Sequence, residues 1–397
     1  MSSSVSPKGH LFWVLCLVGF MAILSSTMSK NPVLNPFARA LHTPDSLMGF
    51  IASASTIPGI LVSLPTASLS DVYGRRKVLL ASGVVFATAP FLYLFATTWW
   101  HLALVRFYHG FATAIFVPVT NAFVVELFPA KKGERISLFS SVTTVGRNLA
   151  PLLGGYILLV TNFGFHELYL AVGLSGSVAL ITALLFLKDE PKSTNGDGAI
   201  SSGSRIIKGW GLVARDRGIA VVSLVEAAQY YVYGATEFFL VGYLREIVNL
   251  DPLSLGIISW VQLATIPLIK PLMGRLSDKI GRSVPIAFGS ILSAGALIVI
   301  PFTTNFSILL LISLSYGLGF SLVTSSTPAL VGDLTKRELL GTSMGFLGTI
   351  MDVGQTLGPI VTGFILATSL GYLGAFLSLM IVLLASCSVF LAAGTKR

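Results

Sequence analysis

The chain has 397 residues, of which 54% are hydrophobic and only 11% charged, and its formal net charge is +9. Soluble proteins carry about 25% charged residues, so this composition, with a mean hydropathy of +0.83, excludes a water-soluble globular protein. The positive charge tracks topology, as its placement along the chain shows, and is not a nucleic-acid footprint.

Twelve apolar runs are long enough for helices that cross the hydrocarbon core, which needs about 20 residues each. They fall near 11–34, 45–66, 77–97, 101–125, 136–158, 167–187, 218–243, 254–273, 283–302, 306–330, 339–366 and 370–393. The runs are continuous and do not alternate in polarity, which excludes a transmembrane β-barrel. With the N-terminus assigned to the cytoplasm, most of the 26 Lys and Arg fall in inner connections, among them Arg75, Arg76, Lys77, Lys131, Lys132 and Arg135. Outer connections hold little beyond Arg39 and Arg245. That asymmetry puts both termini inside, and the expected location is a multi-pass protein of the plasma (cell inner) membrane. Residues 1–26 share with a signal peptide only Lys8 ahead of an apolar run, and are read as the first span. Cys16 and Cys387 lie inside runs, so no disulfide framework is implied.

The first run ends in a polar stretch, Ser25 to Pro32, that includes Asn31. The second is rich in small residues (Ala52, Ser53, Ala54, Ser55, Gly59), which let helices approach closely. A short charged loop follows, with Asp71, Gly74, Arg75, Arg76 and Lys77. The fourth run carries Arg106, His109 and Gly110 and ends at Glu126. In the fifth, Gly146 to Gly155 combines small residues with Pro151, which removes one helix hydrogen bond and bends the span. Between 188 and 217 the composition turns to Lys, Asp, Ser and Gly, which reads as a flexible cytoplasmic linker. The expected domains are thus a six-helix bundle over 1–187 and a second over 218–397.

The second half repeats the landmarks of the first. Leu69, Ser70, Asp71, Gly74 and Arg75 recur 207 residues on as Leu276, Ser277, Asp278, Gly281 and Arg282. Gly110 and Glu126 map to Gly317 and Asp333 at the same offset, and Gly146 and Pro151 map to Gly354 and Pro359 at 208. A six-helix unit that has been duplicated predicts this register.

These residues resemble the major facilitator superfamily, and within it the twelve-helix drug:proton antiporters. The loop matches that family's G-x-L-x-D-R-x-G-R-R/K pattern at Leu69, Asp71, Gly74, Arg75 and Arg76, with Ala67 and Val72 as departures. The copy with Gly274 and Lys279 fits better at those two places. Arg106 and Gly110 resemble the R-x-x-x-G of the fourth helix. Gly146 to Gly155 resembles the exporters' fifth-helix motif, with Ala150 in place of a glycine. The resemblance implies an all-α fold of twelve transmembrane helices in two pseudo-symmetric bundles. It also implies that the charged loops are conformational latches: Asp71, Gly74, Arg75, Arg76 and Glu126, repeated by Asp278, Gly281, Arg282 and Asp333. Gly146, Pro151, Gly155, Gly354 and Pro359 form the helix-bend motif.

Charges inside spans are informative, because each costs about 2.5–3.5 kcal/mol on insertion scales. Glu226 and Glu237 lie in the seventh run and Asp352 in the eleventh, with Arg106, Arg147 and Lys270 as bases. Asp352 is roughly 21 Å into its run at 1.5 Å per residue. Burial favours the protonated acid and a nearby arginine the ionised one, so Glu226, Glu237 and Asp352 are the candidate proton carriers. Glu226, Gln229, Tyr230, Tyr233 and Glu237 share one helical stripe, expected to face a wet cavity. Asn31, Arg106, Arg147, Gln229, Tyr230 and Tyr233 are the candidate substrate contacts. The bland alternative is that Asp352 with Arg147, or Glu237 with Arg106, only neutralise one another.

The expected function is proton-coupled secondary transport, exporting small amphipathic or drug-like solutes. The proton gradient supplies the energy, with no cofactor, no metal, a small-molecule substrate and a monomeric chain. Export or facilitated passage of a sugar or other metabolite is the second transport reading. A non-transporting membrane sensor is the third, weakened because a rigid scaffold needs no latch in either half. No nucleophile–base pair, metal-ligand cluster or phosphate loop points to an enzyme.

Overall fold

A computed structural model describes residues 7–187, 211, 213, 215–336 and 339–394, so most of the 188–217 linker lies outside the described residues. The apolar runs become helices because a chain in lipid must satisfy its backbone hydrogen bonds within each segment. In the first half these are α1 (Pro7–Met28), α2 (Leu34–Ala40), α3 (Asp45–Ser53), α4 (Ile57–Tyr73), α5 (Arg75–Leu92), α6 (Trp99–Leu127), α7 (Lys132–Val160) and α8 (Phe165–Phe186). The second half supplies α9 (Arg217–Glu246), α10 (Pro252–Ile280), α11 (Ser283–Val299), α12 (Phe306–Leu334), α13 (Leu340–Leu366) and α14 (Gly371–Ala392).

Among the described residues, ten segments are long and apolar enough to cross a membrane. α7 and α9 are comparably long, at 29 and 30 residues, but are more polar and fall outside those ten. The chain is therefore an all-helical, multi-pass membrane protein.

Two expectations change in detail. The second span, read as one helix over 45–66, is broken: α3 ends at Ser53 and α4 begins at Ile57, with a turn at Ala54, Ser55 and Thr56. The charged loop is hardly a loop. α4 runs to Tyr73 and α5 starts at Arg75, leaving only Gly74, at φ 95° and ψ 140°, between them. Gly281, at φ 86°, performs the same reversal between α10 and α11. Only glycine enters that region of backbone space without strain.

The chain forms two compact units. The first comprises 1–42, 54–197 and 251–257, and the second 43–53, 198–250 and 258–397. The core of the first is built on Phe12, Leu15, Phe86, Phe116, Val119, Phe123 and Phe139. That of the second is built on Val222, Val225, Ile286, Val323, Leu330, Leu347 and Phe390.

Small residues set the closest packing in both units. In the first, a methyl group built on Gly146 of α7 would lie 2.7 Å from the Phe20 carbonyl oxygen of α1. One on Gly155 would lie 2.7 Å from the Pro252 carbonyl, and Gly256 sits against the Pro151 carbonyl with no room for a side chain. The second unit repeats this: Gly354 of α13 packs on the Ala227 carbonyl of α9, and Gly49 of α3 packs on the Pro359 carbonyl. Ser53 adds a hydrogen bond from its hydroxyl to the Thr356 carbonyl, 2.6 Å.

Candidate functional site

Each unit carries a charged knot at its glycine reversal. In the first, Arg75 pairs with Asp71 one helical turn back across Gly74, and its Nη2 lies 2.6 Å from the Glu126 carboxylate at the end of α6. Its Nε also donates to Glu126, at 3.1 Å, and Nη1 donates to the buried Ser70 hydroxyl. In the second, Arg282 pairs with Asp278, donates through Nε to Asp333 at 3.3 Å, and donates to the Ser277 hydroxyl at 3.4 Å. The two knots match residue for residue, and each ties one glycine reversal to the end of a distant helix. Arg76 takes a separate partner, the Leu184 carbonyl at 3.4 Å.

Inside the spans the units differ. In the first, Arg106 of α6 is 2% exposed and donates through Nη2 to the Ser55 hydroxyl, 2.5 Å, at the break in the second span. Gly110, one turn further, lies against the Ser55 carbonyl with no space for a Cβ. His109 is equally buried, and its Nδ1 is 3.2 Å from the Tyr93 hydroxyl. Tyr93 stacks on Tyr169 with ring centroids 4.3 Å apart, and the Tyr169 hydroxyl donates to the Ser29 carbonyl at 3.3 Å. Asn31 is buried, whereas Arg147 is exposed on α7.

In the second unit, Glu226 of α9 is 3% exposed and accepts a hydrogen bond from the Thr327 hydroxyl of α12. Lys270 of α10 is close enough to act on it electrostatically. Gln229 is fully buried and donates to the Ser290 hydroxyl of α11 at 3.3 Å. Tyr230 and Tyr233 pack their rings on Phe320, with centroids at 5.2 and 5.0 Å. Glu237 is 9% exposed, beside a buried chain in which Gln262 donates to the Thr236 hydroxyl and Thr236 to the Tyr316 hydroxyl, both at 3.4 Å. Asp352, near the middle of α13, is half-buried, and its carboxylate has no hydrogen-bond or ion-pair partner among the described residues.

The expected wet stripe is therefore corrected. Glu226 and Gln229 are buried against α12 and α11 of their own unit, so this part of the stripe does not face a water-filled space. Helical period identifies residues that share a face, but not what the face meets. Ser55, Tyr93, Tyr169, Thr327 and Ser290 are partners the sequence reading did not single out. The 207-residue offset held part of that signal, since Thr327 recurs from Thr120. No group of His, Cys, Asp and Glu suited to a metal occurs among the described residues.

A duplicated, multi-pass helical bundle with charged knots and ionisable groups buried in its spans defines a membrane transporter. The chain belongs to the Major Facilitator Superfamily, whose family model matches residues 15–243 and 222–396. It is 22% identical over 354 residues to an uncharacterised MFS-type transporter of Methanocaldococcus jannaschii, covering 89% of this chain and 88% of the relative. It is 22% identical over 193 residues to multidrug resistance protein 2 of Bacillus subtilis, and 24% identical over 191 residues to an MFS antiporter of Candida albicans. Each of those two matches covers 48% of this chain, and 46% and 38% of the respective relatives. The fold is similar to that of a bacterial homologue of the human lysosomal transporter Spinster, with a TM-score of 0.83, 16% identity, and 99% and 98% of the two chains covered. It is likewise similar to the nucleoside transporter NupG, with a TM-score of 0.82, 14% identity and coverage of 98% and 100%.

Proposed function

We propose that this transporter is a proton-coupled exporter of small amphipathic or drug-like solutes, working by alternating access as a monomer in the plasma membrane with both termini in the cytoplasm. The observation that carries the coupling is Asp352, a carboxylate midway along a span with no partner among the described residues. A carboxylate held that way in a membrane can load and release a proton without breaking an ion pair. Glu226 and Glu237 are secondary carriers, since burial and neighbouring groups already engage them. Multidrug and antiporter relatives support the export reading over half of the chain. The basic asymmetry of the connections supports the orientation.

The latches belong to the same reading. Arg75 with Asp71 and Glu126, and Arg282 with Asp278 and Asp333, hold one conformational state and release in the other. Proteoliposomes under an imposed pH gradient test the whole proposal, with a panel of organic cations, sugars and neutral amphiphiles. Gradient-driven movement that is lost in Asp352→Asn supports it. Movement that ignores the gradient, and survives Asp352→Asn, Glu226→Gln and Glu237→Gln, replaces it with a uniporter.

A further inference from the structure

We infer that Arg106 and His109 of α6 form an anion site inside the first unit that takes a single negative charge, from either an inorganic monovalent anion or the carboxylate of a solute. The site stands on its own geometry, whether or not transport is proton-coupled.

Arg106 and His109 are 2% and 3% exposed. They are three residues apart, so they share one face of the helix. Arg106 spends Nη2 on Ser55 and lies beside the Tyr93 hydroxyl, yet its Nε–H has no protein acceptor. The Tyr93 hydroxyl and Nδ1 of His109 lie 3.2 Å apart, so one hydrogen is shared between them. With the phenol as the donor, the imidazole carries its own hydrogen on Nε2, which has no partner among the described residues. Two buried N–H donors thus stand unanswered on one helical face, and one belongs to a permanent cation.

Nothing among the described residues neutralises that cation. Arg106 has no carboxylate partner among the described residues. Among the described residues, the other charge midway along a span of this unit is Arg147, which is exposed, whereas Asp71, Glu126, Glu134 and Glu167 sit at helix ends. Serine and tyrosine hydroxyls satisfy hydrogen bonds but cannot cancel a charge, and an uncompensated buried charge is strongly destabilising. One guanidinium balances one unit of negative charge, which sets the class of ligand.

A purely architectural role for Arg106, holding the break at Ser55, is answered by the other half of the molecule. At the 207-residue offset Arg106 and His109 correspond to Ser313 and Tyr316, and Ser55 to Gln262. There Gly317 packs on Thr265 of α10 with the Gln262 carbonyl 3.4 Å from a carbon built on it, and Ser313 stands in the place of Arg106. The fold makes that join uncharged, so the cation in the first unit has a separate purpose.

The test is thermal unfolding of the full chain in detergent, with sodium chloride or sodium acetate replacing sodium isethionate at constant ionic strength. A saturable rise in the midpoint with chloride, acetate or both is the expected result. Chloride alone identifies an inorganic-ion site, and acetate alone a carboxylate site. Arg106→Gln and His109→Phe should weaken the half-saturating concentration at least tenfold, about 1.4 kcal/mol. His109→Gln, which keeps a donor, should retain most of it. No saturable shift in the unmodified chain, or equal shifts with isethionate, overturns the proposal, and that readout needs no variant to fold. Because it measures binding, it is independent of whether the proton-coupling reading survives its own assay.

Discussion

Arg75 reaches 51 residues along the chain to the Glu126 carboxylate, at 2.6 Å, and Arg282 repeats the reach to Asp333 at 3.3 Å. Both carboxylates are about half exposed, at 51% and 47%. Exposed ion pairs contribute about 0.2–1 kcal/mol to stability, so these contacts do little to hold the fold. Glu126→Gln should therefore shift the unfolding midpoint slightly while reducing transport several-fold. Comparing transport per folded molecule with yield checks this, and equal losses in both would leave the pair a mere topological anchor. Arg75→Lys should lose most of the same function, because a single ammonium nitrogen cannot reach the Glu126, Asp71 and Ser70 positions that Nε, Nη1 and Nη2 span.

Gly74 carries a backbone conformation that other residues reach only with strain. Gly74→Ala should cost about 1–3 kcal/mol, and Gly281→Ala about as much. Midpoints from thermal unfolding in detergent measure both losses. Retention of full stability in either variant would mean that the reversal relaxes more easily than its dihedral angles imply.

Gly110→Ala tests the packing of α6 on the broken second span. Its new methyl group would meet the Ser55 backbone, and overpacking of this kind costs about 1–3 kcal/mol. Gly59→Ala is the control, since nothing lies within 4 Å of the added carbon, and it should be silent.

Asp251 gives a pH-dependent prediction at the start of α10. Its carboxylate accepts from the Leu253 and Ser254 backbone N–H groups, at 3.0 and 3.1 Å, and from the Ser254 hydroxyl. Slight burial acts to raise its pKa, but these hydrogen bonds prevail and hold it below the usual carboxylate range. A lowered folded-state value means a stabilisation fully present above the unfolded value of about 3.9, and lost as pH falls through the folded value. Asp251→Ala should thus cost about 1 kcal/mol at neutral pH, and the gap to the unmodified chain should close in strong acid.

The helices were legible in the sequence because apolar runs of this length have few other fates, and the duplication was legible because its landmarks recur at 207 or 208 residues. Composition could not show that the second span breaks after Ser53. Ala54, Ser55 and Thr56 are compatible with a helix, and the interruption is seen only with Arg106 and Gly110 packed against it. The knots were legible in part: Asp71, Arg75 and Glu126 stood out by charge, and Ser70 by its recurrence as Ser277. The surroundings of α9 were not legible. Its stripe from Glu226 to Glu237 reads as one amphipathic face, while the structure buries Glu226, Gln229 and Glu237 and leaves Tyr230 and Tyr233 partly exposed. A face that is polar and buried needs partners, and Thr327 and Ser290 lie on helices that no period links to it.

Where Gly256 meets the Pro151 carbonyl, and Gly49 the Pro359 carbonyl, main chain touches main chain. Fixing a long side chain on folding costs up to about 2 kcal/mol of rotamer entropy, and glycine has none to lose. At the glycines themselves these joins hold by close dispersion contact, of which a gap of about 0.5–1 Å forfeits a quarter to a half. They form without freezing a rotamer and part without having to free one.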